Sequence, residues 1–266
     1  MDLGLLGRAC VVTGASRGIG FATARLLCAE GASVMLVARD SGALSRAAGE
    51  LTGEGGRAIA LALDLTEPQA GDRVVAAAQE AFGPLYALVN CAGFTRAREL
   101  DELTDDDWHA HWEIHVMASL RTMRAAAPGM AERGEGRIVN VTSSSARRPS
   151  ATLDAAYSVT KAAQLSLSRV FADRYASRGV LVNAVAPGPV AGSMWLSEGG
   201  LADEIAGRRG VSREEVLKST AARQPRGRMG TEEEVAAVIA FLCSAQAANV
   251  AGAAWAVDGG SVPTVS

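Results

Sequence analysis

Short, continuous apolar runs alternate with longer amphipathic stretches along this chain of 266 residues. Short apolar runs fit strands that are buried on both faces, and the stretches between them repeat with the period of a helix. Seven runs are predicted as strands, at 9–12, 33–38, 58–63, 87–90, 137–141, 180–186 and 254–257. The connections are long enough for crossover helices, so the pattern predicts a seven-stranded parallel sheet with helices on both faces, the doubly wound α/β class.

The chain shows no repeat and no Pro- or Ser-rich linker, which favours a single domain over residues 1–266. Its least regular stretch, from Pro187 to Gln224, is rich in glycine, and residues at about 189–224 are predicted to form a lid over a substrate. Capping boxes predict helix starts at Ser212 with Glu215 and at Thr231 with Glu234. A weaker one pairs Thr104 with Asp107.

The charge balance argues against strongly charged partners. Twenty-six basic and 29 acidic residues give a formal net charge of -3, without the basic patterning that nucleic acid or an anionic membrane would attract. An acid stands near the N-terminus where a secretory signal would be basic, and no apolar run approaches the roughly 18 residues of a membrane span, so a cytoplasmic location is expected. Four isolated cysteines are predicted to be buried free thiols rather than disulfides or metal ligands.

A glycine-rich loop follows the first predicted strand, over residues 13–20. Gly14, Gly18 and Gly20 permit a tight turn and a close approach of the backbone to a ligand, and the N–H groups of the following helix can bind a pyrophosphate. Three glycines alone are a weak signal, because a strand–helix turn without a ligand looks similar. Their position after the first strand favours a dinucleotide site.

The second predicted strand ends in Ala38, followed by Arg39 and Asp40. In a doubly wound fold this position meets the adenosine ribose, where an acidic residue would bind the hydroxyls of NAD. A guanidinium at Arg39, together with Arg17, would instead hold a 2'-phosphate through charge-assisted hydrogen bonds. The pattern therefore favours NADP(H), and NAD(H) stays possible because Asp40 could reach the ribose.

Tyr157 and Lys161 lie four residues apart and thus on one face of a predicted helix. A nearby cation stabilises the phenolate and lowers a phenol pKa that is ordinarily about 10, so this tyrosine is expected to exchange protons near neutral pH. A Tyr and a Lys at this spacing are also common on solvated helix faces. The rest of the sequence decides between these interpretations.

Five features occur in order along the chain: the loop at 13–20, the segment from Asn90 to Gly93, a serine cluster after a strand, the Tyr157–Lys161 pair and Pro187-Gly188. Together they resemble the classical short-chain dehydrogenase/reductase family, and the resemblance covers nearly the whole chain. Residues 226–260 are similar to the branch of 3-oxoacyl-carrier-protein reductases. The resemblance implies a Rossmann-type fold, hydride transfer between nicotinamide and a small-molecule ketone or secondary alcohol, and a homo-oligomer, commonly a tetramer.

The resemblance also implies roles for single residues. Tyr157 would be the general acid or base, and Lys161 would lower its pKa and hold the nicotinamide ribose. Asp64 and Leu65 would flank the adenine. The residues implied to bind the cofactor are Gly14, Ser16, Arg17, Gly18, Ile19, Gly20, Arg39, Asp64, Leu65, Asn90, Ala92, Gly93, Tyr157, Lys161, Pro187, Gly188 and Val190.

The serine that would polarise the substrate carbonyl has two candidates. Counting thirteen residues back from Tyr157, the family's usual separation, gives Ser144, whereas counting forward from the strand at 137–141 gives Ser143. A loop absorbs one extra residue more easily than a strand changes its register, so Ser143 is favoured. Both serines remain candidates.

Two positions depart from the family's pattern. His115, seven residues after Trp108 in a helix predicted over 107–123, stands where the family has a catalytic Asn. Its imidazole could keep the water of the family's proton relay, displace it, titrate within the working pH range, or simply pack beside the site. Gly192 stands where a Thr often contacts the nicotinamide amide, and the neighbouring Ser193 could serve in its place.

Three further questions stay open from the sequence. Met194, Trp195, Leu196 and Leu201 could cover a substrate or contact another subunit. An acidic acyl carrier protein would need exposed basic residues near the site, for which the candidates are Arg147, Arg148, Arg208, Arg209 and Arg213. A rival hypothesis from another class is a cofactor-binding protein with little catalysis.

Overall fold

The computed structural model describes residues 2–149 and 154–263. Their seven strands are β1 Ala9–Thr13, β2 Ser33–Ala38, β3 Arg57–Ala62, β4 Leu85–Asn90, β5 Gly136–Val141, β6 Val180–Pro187 and β7 Ala254–Val257. They form one parallel sheet in the order β3-β2-β1-β4-β5-β6-β7. This confirms the predicted doubly wound α/β class. The strand order reverses between β1 and β4, which is where such folds open a crevice for ligands.

Ten α-helices accompany the strands in the described residues: α1 Gly18–Ala29, α2 Ser41–Gly53, α3 Ala70–Phe82, α4 Asp105–Trp112, α5 Ala118–Arg133, α6 Ala155–Tyr175, α7 Ser193–Leu196, α8 Leu201–Arg209, α9 Arg213–Ala222 and α10 Glu232–Cys243. Successive residues of β1 show why both faces of the sheet are covered. Val12 packs into a core with α1, α2 and α10, whereas Val11 packs into a second core with α3, α5 and α6.

The strand predictions hold apart from their ends. The predicted fourth run began at residue 87, but β4 already begins at Leu85 and includes Tyr86. Tyr86 is buried, and the guanidinium of Arg8 lies 4.4 Å from the centroid of its ring. All three capping boxes form, including the weaker one of Thr104 with Asp107.

The helix predicted over 107–123 differs from the structure. Helix α4 ends at Trp112, a π-helical turn covers Glu113–Met117, and α5 then runs to Arg133. Apolar periodicity does not reveal such a turn, because a single π-helical turn inside α-helical segments has no sequence pattern of its own. At the start of α5, the Ser119 hydroxyl donates to the backbone oxygen of His115, which lies in this turn, at 2.9 Å.

The predicted lid stretch folds into the short helices α7, α8 and α9. Trp195 packs in a small apolar cluster with Leu201, Ile205, Val216 and other residues of this stretch. Only 8% of Trp195 is exposed, and its roles as a substrate wall or a subunit contact stay predictions. Met194 and Leu196 are the exposed apolar residues of α7.

All four cysteines are free thiols; three are buried, and Cys91 is partly buried. Burial raises the pKa of Cys91 to about 12, which makes it a poor nucleophile. Within residues 2–149 and 154–263, no helix is both long and apolar enough to cross a membrane, and no group of metal-ligating side chains could hold an ion.

Candidate active site

The glycine loop lies at the carboxyl end of β1. Thr13 ties it to the end of β4, because its hydroxyl accepts hydrogen bonds from the backbone N–H groups of Cys91 and Ala92 at 3.0 and 3.2 Å. A Cβ on Gly20 would lie 2.4 Å from the backbone oxygen of Gly14, so only glycine fits there. No side chain caps α1, which leaves its first N–H groups available for an anion.

Arginines gather at the end of the crevice that lies between the glycine loop, β2 and α2. Arg17 and Arg46 line a cleft of about 650 Å³ between the glycine loop and α2, together with Ser16 and Gly18. Arg39 follows β2 and lies close enough to Asp64 to lower the pKa of that carboxyl, although hydrogen bonds from Thr66 lower it more. Within the described chain, none of these three arginines forms an ion pair.

Asp40, the residue after Arg39, has a structural role at the start of α2. Its carboxylate caps α2 by accepting a hydrogen bond from the backbone N–H of Ala43 at 2.9 Å. Arg46 was missed from the sequence, because an exposed arginine within a helix carries no signal of its own. Only the packing of α2 beside the glycine loop brings it to the cleft.

The ends of β4 and β6 form the middle of the crevice. Asn90 is buried and braces the sheet: its amide nitrogen donates to Asn140 and its amide oxygen accepts from Thr122, each at 2.8 Å. Other predicted cofactor residues lie at this edge. Ile19 and Leu65 pack into the two cores. As the chain leaves β6, the backbone N–H of Gly188 donates to the backbone oxygen of Val257, and Val190 forms an isolated β-bridge with Gly230.

Tyr157 lies buried near the start of α6 and faces the loop after β5. Burial raises the pKa of its phenol, and a hydrogen-bonding interaction with the Ser143 hydroxyl partly opposes this effect. Ser144 instead begins the short helical turn Ser144–Ala146. Of the two candidate serines, the structure thus brings Ser143 to the tyrosine.

Lys161 lies one turn further along α6, with its Nζ atom 5.8 Å from the centroid of the Tyr157 ring. It is buried, and burial lowers the pKa of its ammonium to about 8. The sequence suggested that Lys161 would lower the pKa of Tyr157. In the structure that pKa is raised, because burial of the phenol outweighs the neighbouring groups.

Comparisons with known proteins identify the family of this chain. A family model described as "Enoyl-(Acyl carrier protein) reductase" matches residues 14–262. The short-chain reductase protein NovJ of Streptomyces niveus is 36% identical over 94% of this chain and 92% of that protein. The 3-oxoacyl-[acyl-carrier-protein] reductase FabG of Vibrio cholerae is 35% identical over 97% and 98%. The chain belongs to the short-chain dehydrogenase/reductase family.

Solved structures place the same fold around a nicotinamide cofactor. The crystal structure of L-sorbose reductase from Gluconobacter frateurii, complexed with NADPH and L-sorbose, has a TM-score of 0.92 and 36% identity to this short-chain dehydrogenase/reductase. It covers 100% of both chains. An actinorhodin polyketide ketoreductase solved with NADPH has a TM-score of 0.90 and 32% identity, over 97% of this chain and 98% of the other.

His115 is buried in the π-helical turn of this short-chain dehydrogenase/reductase. Its Nε2 accepts a hydrogen bond from the backbone N–H of Phe94 at 3.2 Å, so Nδ1 carries the proton and donates to the Thr160 hydroxyl at 2.9 Å. A Cβ on Gly93 would lie 2.8 Å from Nε2, so the ring packs directly on this glycine. Burial, Lys161 and His111 hold the pKa of His115 well below its ordinary value. This direction argues against the interpretation in which His115 titrates within the working pH range.

We expect His115→Asn to leave the shape of the pH–rate profile unchanged between about pH 6 and pH 8. The lowered pKa favours the neutral imidazole, in which Nε2 accepts from Phe94 and Nδ1 carries the proton. The measurement is kcat/KM against pH for both proteins. Loss of an inflection in the variant would show that His115 does titrate during turnover.

A buried pair that the sequence analysis missed lies beside Tyr157. The Nε2 atom of His111 is 2.7 Å from Oδ2 of Asp154, and each side chain is at most 2% exposed. Asp154 also caps α6, because its Oδ1 accepts a hydrogen bond from the backbone N–H of Tyr157 at 3.2 Å. His111 therefore links α4 to the start of the helix that carries Tyr157. Two spacings hinted at it: His111 lies four residues before His115, and Asp154 three before Tyr157.

The stretch at 189–224 contacts both sides of the crevice. The backbone N–H of Ser193 donates to Glu232 at 2.9 Å, and the Ser193 hydroxyl lies 3.1 Å from the position of a Cβ on Gly18. On the opposite side, the N–H of Ala97 donates to Glu204 at 2.7 Å. The stretch thus spans from the glycine loop to the segment that follows β4.

Proposed function

We propose that this protein is an NADP(H)-dependent oxidoreductase that moves a hydride between nicotinamide and a ketone or secondary alcohol. The observation that carries the proposal is the placement of Tyr157, with Ser143 facing its hydroxyl and Lys161 one turn away, at the carboxyl edge of the sheet. The uncapped start of α1 lies along the same edge.

The residues present fit a dinucleotide. The N–H groups of α1 would bind the pyrophosphate, and Arg17, Arg39 and Arg46 would hold a 2'-phosphate, for which guanidinium groups are well suited. Only Oδ1 of Asp40 is engaged in capping α2, so the arginines rather than Asp40 carry the preference for NADP(H). The NADPH in two similar structures supports the same choice. When bound, nicotinamide would supply or accept the hydride.

The side chains would handle the proton. During reduction, Tyr157 would donate its phenol proton to the carbonyl oxygen of the substrate, and during oxidation it would remove the proton from the alcohol. Its raised pKa keeps the phenol protonated at neutral pH, which suits the acid role. Ser143 would donate a hydrogen bond to the same oxygen, and the Lys161 ammonium would favour negative charge near the phenol.

The relatives include enzymes of both carrier-bound and free substrates, and we propose a small, free substrate for this protein. L-sorbose reductase is a structural relative, and galactitol 2-dehydrogenase of Cereibacter sphaeroides is 37% identical over 96% of this chain and 94% of that protein. Two arginines considered for docking a carrier protein are engaged internally: Arg208 pairs with Glu102 at 2.8 Å, and Arg213 pairs with Asp203 at 3.3 Å. The stretch at 189–224 would then act as a lid over a hydroxylated ketone.

The activity is tested by following NADPH absorbance with a panel of carbonyl compounds that includes L-sorbose, other ketoses, simple ketones and a 3-oxoacyl thioester. Consumption of NADPH with a ketone supports the proposal, and NADH in its place should react more slowly. Tight NADPH binding without turnover on any carbonyl would instead favour a cofactor-binding protein.

Arginine substitutions test the cofactor choice. We expect Arg17→Ala and Arg39→Ala each to raise the KM for NADPH by about 10- to 100-fold, the range expected for one hydrogen bond to a charged group, and to leave the KM for NADH unchanged. Arg25→Ala is a matched control, because Arg25 lies on α1 but pairs with Glu54. Equal effects on NADPH and NADH would contradict the assignment of the 2'-phosphate site.

We further propose that residues 1–266 form one domain and that the protein is a homotetramer. Val159 and Val170 support self-association, because these exposed apolar residues lie three turns apart on one face of α6. Trp112 on α4 is also exposed. Size-exclusion chromatography with light scattering measures the mass of the assembly directly. A monomer would contradict this proposal.

A further inference from the structure

Lys161 is anchored on two sides by the protein. Its Nζ donates to the backbone oxygen of Val141 at 2.8 Å and to Oε1 of Gln164 at 3.0 Å. An ammonium has three N–H donors, so the described contacts leave one for a ligand or for Tyr157. Because two donors are held, the direction of the third is fixed as well.

Gln164 continues the contact into α5. The side chain is fully buried, and its Nε2 donates to the Ser119 hydroxyl at 2.8 Å. Ser119 in turn donates to the backbone oxygen of His115, at 2.9 Å. The hydrogen-bonded series thus runs from Lys161 through Gln164 and Ser119 to the π-helical turn.

Chemistry fixes the orientation of the Gln164 amide. An ammonium can only donate, so the amide oxygen must face Lys161. The Ser119 hydroxyl uses its proton on the His115 oxygen and therefore accepts from the amide nitrogen. A flipped amide would place two donors against each other and leave buried polar groups unpaired, which is costly.

We propose that Gln164 is a positioning residue for Lys161: its buried amide holds the ammonium in one orientation and connects it, through Ser119, to the turn that carries His115. This inference rests on the proposed function, since it assigns Gln164 to the same site. A carboxamide neither gains nor loses a proton near neutral pH, so Gln164 acts by holding the ammonium and stabilising its charge. An apolar side chain at 164 would leave the buried ammonium with one acceptor fewer.

Lysine content makes the test direct. Lys161 and Lys218 are the only lysines of the chain, so labelling lysine with carbon-13 at Cε gives two side-chain NMR signals. Lys218 is exposed on α9, and Lys218→Arg assigns the remaining signal to Lys161. Titration of that signal then reports the pKa of Lys161, which burial lowers to about 8.

We expect Gln164→Met, which keeps the chain length but removes the acceptor, to lower the pKa of Lys161 by about one to two units, the size of one hydrogen bond to a charged group. Gln164→Glu restores an acceptor and should bring the pKa to the wild-type value or above it. In turnover, Gln164→Met should shift the alkaline limb of the pH–rate profile to lower pH by the same number of units.

An unchanged pKa of Lys161 in folded Gln164→Met would overturn the proposal. If that variant does not fold, Ser119→Ala decides the question, because it removes the anchor of the amide, together with the bond to the His115 oxygen, and leaves Gln164 in place: a lowered pKa of Lys161 supports the proposal and an unchanged one overturns it. The titration needs no turnover. A wild-type protein that reduces no carbonyl would therefore refute the proposed function and leave the assignment of Gln164 to be judged by NMR alone.

Discussion

Tyr157→Phe is expected to lower kcat for ketone reduction by about 100- to 10,000-fold, the usual contribution of a positioned general acid. The substitution removes only the hydroxyl that faces Ser143 and leaves the ring against His115, where the centroids lie 5.4 Å apart. NADPH binding should therefore persist. The measurements are kcat and KM for the ketone, together with the dissociation constant for NADPH.

Tyr175→Phe is the matched control for this loss. Tyr175 is also buried on α6, but its ring stacks on Phe171 at the far end of the helix. The control should keep nearly full activity. If Tyr157→Phe retained more than about a tenth of the wild-type kcat, Tyr157 would not be the general acid.

The second large effect concerns the buried pair of His111 and Asp154. We expect Asp154→Ala to lower the free energy of unfolding by about 2–4 kcal/mol, because it removes the cap of α6 and leaves the buried Nε2 of His111 without its partner. The Nδ1 atom of His111 already lacks a hydrogen-bond partner in the described structure. Urea unfolding, monitored by circular dichroism, measures the loss.

Two further variants separate the cap from the pair. Ser212→Ala removes the cap of α9, where no histidine is involved, and should cost about 1 kcal/mol. His111→Leu combined with Asp154→Ala should cost less than the sum of the two single changes, because no buried partner is then left unpaired. If Asp154→Ala cost no more than Ser212→Ala, the pair would contribute nothing to stability.

Features encoded locally could be predicted from the sequence. The apolar runs identified all seven strands, since a strand buried on both faces needs a continuous apolar run wherever it lies. The glycine loop and the Tyr157–Lys161 pair could be located for a similar reason, because their spacing within one turn or helix sets their geometry.

Features that join distant segments could not be predicted. Asp154 and His111 meet only because α4 and α6 pack together, and Gln164 reaches Ser119 across 45 positions of the chain. The prediction that the pKa of Tyr157 is lowered was wrong for the same reason. That pKa depends on how much protein covers the phenol, whereas the spacing to Lys161 describes only one neighbour.

The central claim is that this fold transfers a hydride to a carbonyl carbon while Tyr157 supplies the proton. Its most direct test uses NADPH deuterated at the transferable position of nicotinamide, a ketone that the wild-type protein reduces, and mass spectrometry of the alcohol formed. We predict one deuterium on the carbinol carbon with the wild-type protein and almost no product with Tyr157→Phe. An alcohol without deuterium, or equal product from the variant, would contradict the mechanism.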